Sequence, residues 1–432
     1  MARMYYIVSW CAAPLIVLWL RWRQIKGKED AMRLPERFGK ASLSRPAGRL
    51  IWLHAASVGE SNSVIPLLDA LHERYSDVNL LVTTGTVSSS KTILSRLPHR
   101  AFHQFVPVDT PQAVSRFLTH WKPDLAIWVE SELWPNLIMQ THARGTKMAL
   151  VNARMSDRSH KKWLRARSFF LQMTGCFDLL FAGSKEDARK YKNLGATHIG
   201  ELGNLKYDAP PLPAEPTSTS EVITLMGGRH IFLAASTHEG EEDQIATMHI
   251  ALREIFSDML TVIVPRHAHR GEAIMRLMAK HKLTSAQRSK NQVILPETNI
   301  YIADTMGELG IFYRLAGIVL IGGTLVPRGG HNPIEAAQLD CAILCGPHMH
   351  NFRGICKEMI DADALIQTRT LDELTQKVTE LLRDHEMQER YARTAHEFVN
   401  AKTGTVLQLS DALRQLLDAK TIAEIPSESP GL

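Results

Sequence analysis

Ala209-Pro210-Pro211-Leu212-Pro213-Ala214-Glu215-Pro216-Thr217-Ser218-Thr219-Ser220 divides the chain. Its prolines lack the amide donor that a helix or a central strand requires, so the stretch reads as a linker. Before it, Leu50–Ala55, Asn79–Thr84, Asp124–Val129, Lys147–Val151 and Asp178–Ala182 are short apolar runs suited to buried parallel strands. Helical stretches near 61–74, 88–96, 133–144 and 184–194 separate them. After it, His230–Ala235, Leu260–Val264, Gly317–Ile321 and Ala342–Cys345 repeat the arrangement, and the chain from about 370 to 418 reads as helical. Strand–helix alternation implies right-handed crossovers, hence doubly wound sheets. At 432 residues the chain is too long for one ordinary core. The expected fold is α/β, with two Rossmann-like domains facing across a cleft: residues 50–208, the linker 209–220, residues 221–418, and a polar tail 419–432.

The N-terminus carries a different signal. Met4–Leu20 is a 17-residue stretch without a charge, at the short end of what crosses a bilayer as a helix. No small-residue cleavage site follows, because Arg21-Trp22-Arg23 comes at once. Residues 1–22 therefore read as a membrane anchor, spanning in the first reading and lying in the membrane plane in the second. Between Arg21 and Arg49 stand nine Lys/Arg against Glu29, Asp30 and Glu36, an excess larger than the +5 of the whole chain. A basic juxtamembrane segment over 23–49 is expected to attract anionic lipid headgroups and to hold the body of the protein in the cytoplasm. A solvated linker is the plainer reading. The cysteines are odd in number and lack a paired framework, which suits free core thiols in a reducing compartment.

Polar clusters follow the strands of the first half, where open α/β sheets bind ligands. His54-Ala55-Ala56-Ser57-Val58-Gly59-Glu60 places Glu60 at the start of a helix. There a carboxylate either complements the helix dipole or acts as a general base on a substrate hydroxyl. Glu130-Ser131-Glu132-Leu133-Trp134-Pro135-Asn136 sets two acids on a loop past the next strand. Arg154, Arg158, Lys161 and Lys162 open a basic run interleaved with Trp163. A phosphorylated lipid suits that run, a solvated helix is the alternative, and no nucleic-acid fold signature accompanies it. Lys206, in Gly203-Asn204-Leu205-Lys206-Tyr207-Asp208, could neutralise phosphate or carboxylate charge.

The second half offers nucleotide-binding candidates. Pro265-Arg266-His267 follows a strand, and Met306-Gly307-Glu308 lies in a turn before a helix. Gly322-Gly323-Thr324-Leu325-Val326-Pro327-Arg328-Gly329-Gly330-His331-Asn332-Pro333-Ile334-Glu335 is the strongest element. Its glycines admit an anion to the backbone, Asn332 can cap, Pro333 suits the first helical position, and the helix dipole then favours phosphate. Neither GxGxxG nor a P-loop is present. Asp361-Ala362-Asp363 resembles a metal-binding Asp-x-Asp but lies late, beyond the nucleotide elements, and His348 and His350 lack nearby carboxylates of ligand spacing, which suits a loop role.

Together the runs HAASVGE, ESELWPN, NARMSDRS, GNLKYD, ASTHEGEE, PRH, DTMGEL, GGTLVPRGGHNPIE and GPHMHNFR, from residue 54 to about 353, resemble the bacterial Kdo transferases of lipopolysaccharide synthesis. Thr324 and Ala268 are small departures, Ser and Pro being usual there. The resemblance implies an inverting, metal-independent GT-B glycosyltransferase that moves Kdo from CMP-Kdo to a lipid A precursor (lipid IVA type) at the cytoplasmic face of the inner membrane. It implies Glu60 as general base, with Glu130 and Lys206 as support. Pro265, Arg266, Met306, Gly307, Glu308, Asn332, Pro333, Ile334 and Glu335 would form the CMP site, and the basic run would meet the acceptor. No cofactor and no nucleic-acid partner are expected. A nucleotide-sugar epimerase shares the architecture, and a membrane-tethered binding protein would be expected to have lost Glu60 or the GGHNPIE segment.

Overall fold

The computed structural model describes residues 1–75, 77–215, 226 and 228–423; the last five positions of the 209–220 linker and most of the polar tail fall outside them. The chain divides into two compact units, residues 1–209 with 402–432, and residues 210–401.

Each unit is built on a seven-stranded, wholly parallel sheet. In the first unit the strands are β1 Leu50–His54, β2 Asn79–Thr84, β3 Ala101–Phe105, β4 Leu125–Val129, β5 Lys147–Ala153, β6 Leu179–Ala182 and β7 Gly200–Glu201. Their order is β3-β2-β1-β4-β5-β6-β7, so the topology switches direction between β1 and β4. In the second unit β8 Ile231–Thr237, β9 Leu260–Pro265, β10 Ser285–Gln287, β11 Ile300–Ile302, β12 Ile318–Ile321, β13 Ala342–Cys345 and β14 Ile366–Gln367 stand in the order β10-β11-β9-β8-β12-β13-β14, with the switch between β8 and β12. The central strands are buried along their whole length, as parallel strands covered by helices on both faces must be.

The apolar runs read from sequence are thus all strands. The short strands β7, β10, β11 and β14, and β3 with the helix Pro111–Trp121 after it, are additional. That helix buries Val114, Phe117, Leu118 and Trp121, spaced as one helical face.

Three expectations change. First, residues 402–418 do not pack with the second half. The helix Thr405–Ala423 buries Val406, Leu409, Leu413 and Leu417 against Leu53, Val64 and Leu68 of the first unit's core. Asp208 fixes its start by accepting from the backbone N–H of Gly404 and, at 3.0 Å, of Val406. Periodicity reveals an apolar face but not the sheet that it covers.

Second, the N-terminal stretch is not one helix. Ala2–Cys11 and Ala13–Ile25 meet at a 58° bend beside Pro14, and no single described helix is long and apolar enough to cross a membrane. The first helix is tied to its own unit: Tyr5 donates to Asp109 at 2.9 Å, and Asn136 donates to Ser9 Oγ at 2.8 Å.

Third, much of the basic segment is internal structure. Arg33 forks onto buried Glu36, both bonds 2.9 Å, and Glu36 also accepts from the Phe105 amide at 2.7 Å. Arg23 and Arg37 share Glu29, at 2.7 and 3.5 Å, and Arg45 donates to the Trp121 carbonyl. Arg21, Lys26, Lys28 and Lys40 stay exposed. Counting charges cannot separate a paired arginine from a free one.

Candidate active site

The first site lies at the carboxyl ends of β1 and β4, at the topological switch point where doubly wound sheets open a crevice for ligands. Ser57 caps the helix Val58–Arg74 by accepting from the Glu60 amide. The Glu60 carboxylate returns to accept from the Ala56 amide at 2.8 Å and from Ser57 Oγ at 2.9 Å. This is a capping box whose return bond is shifted one residue, to the amide before the cap, and it holds a buried carboxylate in one orientation. The helix-start and general-base readings of Glu60 therefore describe the same geometry.

β4 delivers Glu130 to the same place. Glu130 is buried, sits at φ 59°, and is ion-paired with Lys206. Asn152, at φ 52° where β5 shifts register against β6, donates to it at 3.4 Å, and Arg154 approaches within 3.9 Å. A non-glycine residue in the left-handed region costs of order 1–3 kcal/mol, a strain that clusters at functional sites. Glu132 accepts from Trp134 at 2.6 Å and lies 3.9 Å from His54 Nε2. Burial pushes the Glu60 carboxyl above its usual range, and the Glu130 charge pushes further. For Glu132 burial acts in the same sense, but His54 and Trp134 outweigh it and its carboxyl is held low. Neighbouring acids are thus driven apart in proton affinity, the arrangement that separates a base from its electrostatic support.

The site residues expected from sequence come together only in part. Glu60, Glu130 and Lys206 do, and Arg154 joins them. Arg158, Lys161 and Lys162 instead lie exposed on the helix Asp157–Arg165, which buries none of its side chains. A recess of about 140 Å³ lined by Ser131, Arg154, Ser159 and Trp163 adjoins that helix.

In the second unit all the nucleotide candidates lie beyond the carboxyl ends of β9, β11 and β12. Arg266 is exposed directly after β9. Met306 is 78% exposed, and Gly307, at φ 90°, has open space where a Cβ would stand, so this turn presents bare backbone. The Glu308 side chain is occupied by a two-pronged bond to Arg288 at 2.8 and 3.2 Å. The helix expected to open at Pro333 is a single turn, Ile334–Ala337, with Pro333 at the cap and Asn332 Oδ1 accepting from the Ile334 amide at 3.3 Å. One turn carries little macrodipole, so a helix dipole adds little attraction for phosphate at that end. Burial raises the Glu335 carboxyl against the bond from Asn332 and the charge of Arg266. Among the described residues no group of three or more His, Cys, Asp or Glu could hold a metal ion, and Asp361 pairs with Lys357 at 2.7 Å. The cysteines are unpaired, with Cys11 exposed and the other four buried.

Sequence reading gave no role to the run after β8. Glu241 is fully buried and accepts from four backbone amides, those of His238, Gly323, Thr324 and Leu325, at 2.7 to 2.9 Å. It thereby clasps the glycine-rich turn to the end of β8. Gly322 is required there, since a Cβ would stand 2.4 Å from the Ser236 carbonyl. The signal lay in the sequence as ASTHEGEE, but nothing local says that its second carboxylate serves a turn that begins 82 residues away.

The Lys206–Glu130 pair yields a directional prediction. Lys206→Met removes the balancing cation, so the Glu130 charge acts more fully on Glu60. The acid limb of kcat/KM is expected to move to higher pH. Glu130→Gln removes the charge itself and is expected to move that limb down. A pH–rate profile of both variants measures it; equal shifts of one sign would remove Glu130 from the account.

Two doubly wound parallel sheets, each with polar groups gathered at its switch point, define a fold of the GT-B class. A family profile described as 3-deoxy-D-manno-octulosonic-acid transferase (kdotransferase) matches residues 32–209. The chain is 38% identical to "Probable 3-deoxy-D-manno-octulosonic acid transferase, mitochondrial" of Arabidopsis thaliana, over 94% of this chain and 93% of that one. It is 32% identical to the 3-deoxy-D-manno-octulosonic acid transferase of Haemophilus influenzae, over 94% and 96%. Solved structures share the fold at low identity. A glycosyltransferase of Rickettsia africae is 13% identical with TM-score 0.58, covering 88% of this chain and 100% of that one. The UDP-GlcNAc 2-epimerase of Neisseria meningitidis is 12% identical with TM-score 0.57, covering 84% and 100%. The chain belongs to the 3-deoxy-D-manno-octulosonic acid (Kdo) transferase family, and is a glycosyltransferase.

Proposed function

We propose that this transferase moves Kdo from CMP-Kdo to a hydroxyl of a lipid A precursor with inversion, Glu60 acting as the general base. The reading rests above all on Glu60: a buried carboxylate, oriented by its own capping box and lifted in proton affinity by burial and Glu130. The ionised carboxylate takes the proton of the acceptor hydroxyl as its oxygen bonds to the anomeric carbon. The bond from that carbon to the phosphate oxygen breaks, and its electron pair leaves with CMP. Glu130 and Lys206 tune and position the base. Arg266, the bare Met306–Gly307–Glu308 backbone and Asn332 to Glu335 hold the CMP portion, and protein cations offset the phosphate charge without a metal. An epimerase of the same fold needs no acceptor, so acceptor dependence separates the two. Purified protein given CMP-Kdo should release CMP only when the lipid is present, with the lipid gaining the mass of Kdo. Release without acceptor would overturn the reading. Activity should survive EDTA; loss on chelation restored by magnesium would overturn the metal-free account.

The N-terminal helices further support seating in the plane of the inner membrane at its cytoplasmic face. The first helix is bonded side-on to its unit through Tyr5 and Ser9, while Ile7, Val8, Trp10, Leu15, Leu18, Trp19 and Trp22 are exposed. Exposed Trp and Leu beside Arg21, Lys26 and Lys28 suit an interfacial anchor. Vesicles of phosphatidylcholine and phosphatidylglycerol should bind the protein, and Trp10→Glu with Leu18→Glu should abolish binding in detergent-free buffer. Full retention by that variant would overturn the anchor.

A further inference from the structure

At the switch point of the second sheet β8 bulges at Ser236, φ 61°, and turns His238 toward the glycine-rich loop. That loop, leaving β12, brings back His331. The two Nε2 atoms lie 2.9 Å apart, with the rings inclined by only 3°. Two imidazole nitrogens at that distance share one proton: one ring donates N–H, the other accepts with its lone pair. A further proton fits on the far nitrogen of the donating ring, giving a charge-assisted bond; a second would force two N–H groups together. The pair is thus built to exist neutral or singly charged.

Its surroundings are mainly cationic. Arg266 and His267 face it from the end of β9, and Arg328 from the loop. Neither Arg266 nor Arg328 makes an ion pair among the described residues. The nearby acids are engaged: Glu242 with Arg270, Glu335 with Asn332, Glu241 with four amides. Burial, then Arg266, hold the His331 imidazole down to about 4, and burial with Arg328 lowers His238. The pair is therefore neutral at pH 7 when no anion is present.

We propose that His238 and His331 form a proton-linked site for an anionic group of the sugar-nucleotide donor, either its phosphate or the carboxylate of its acid sugar, so that donor binding takes up a proton. This rests on the donor-site reading above. An anion set among Arg266, Arg328 and the pair reverses the field that kept the imidazoles neutral, and the added proton makes a charged donor toward it. Donor affinity then rises as pH falls through the bound-state titration of the pair.

Calorimetric titration of the whole protein with CMP-Kdo, in buffers of different ionisation enthalpy between about pH 6 and 8, tests this. Uptake should approach about one proton per donor toward the acid end. CMP-Kdo itself, a phosphodiester, has no proton to exchange in this range. His238→Gln and His331→Gln keep a hydrogen-bonding side chain but cannot titrate; each should abolish the uptake and weaken the donor roughly tenfold. CMP separates the two anions. Histidine-dependent uptake with CMP as well assigns the phosphate, and uptake confined to CMP-Kdo assigns the carboxylate. Binding of CMP-Kdo without proton uptake, or uptake unchanged in both variants, overturns the inference while leaving the donor site standing. Absence of CMP-Kdo binding by the unaltered protein overturns both.

Discussion

Glu60→Gln lowers turnover by about 100-fold or more and leaves CMP affinity within about twofold. The amide cannot take the acceptor's proton, so the loss falls on kcat. Glutamine is the informative replacement because it is also accepted at this position of a capping box, so the helix Val58–Arg74 keeps its start. The sign with pH follows from the site. A folded proton affinity raised by burial and Glu130 means the ionised base is lost as pH falls through a midpoint above that of an ordinary glutamate. It also means that neutral Glu60 fits the fold better than the ionised form. Any stability tied to the proton is present at low pH and lost as pH rises through the folded value. The variant, permanently neutral, should therefore melt no lower than the parent at pH 7. Near-parental turnover with an unchanged pH profile would remove Glu60 as base; a large fall in melting temperature would mark it as structural.

Removing residues 402–432 abolishes cooperative folding of the first unit. Val406, Leu409, Leu413 and Leu417 are buried in its core, and full burial of each such side chain is worth about 1.5–3 kcal/mol. Together that is comparable to the whole stability of a domain, about 5–15 kcal/mol. Leu413→Ala alone should cost about 2–5 kcal/mol. The readout is unusually selective, because all eight tryptophans precede residue 209. Trp52, Trp121 and Trp128 are fully buried in the first unit, so tryptophan fluorescence in urea reports that unit alone. A tryptophan transition unchanged by Leu413→Ala would return the C-terminal helix to the second unit, where sequence reading put it.

The strands were legible because a parallel strand covered on both faces is an uninterrupted apolar run, a pattern that needs no partner to be seen. β7, β10, β11 and β14 were not, since a run of two or three residues leaves too short a pattern. Of the first site, Glu60, Glu130 and Lys206 were readable as polar residues in the loops that follow strands. Their convergence was not, because Glu130 and Lys206 are 76 residues apart and meet only when β4 and the segment after β7 take their places. The basic run divides for the same reason: Arg154 turns to Glu130, while Arg158, Lys161 and Lys162 leave on a helix.

Sequence alone determined the α/β class, the division at the proline-rich segment, and the family, because alternating hydrophobic runs, missing amide donors and long shared motifs are local properties. Tertiary structure decided where the last helix packs, which arginines are already paired, that the apolar N-terminus bends, and that His238 meets His331. Each of these depends on which distant groups share a contact. Such contacts follow from sheet order and register, and no window along the chain contains both partners.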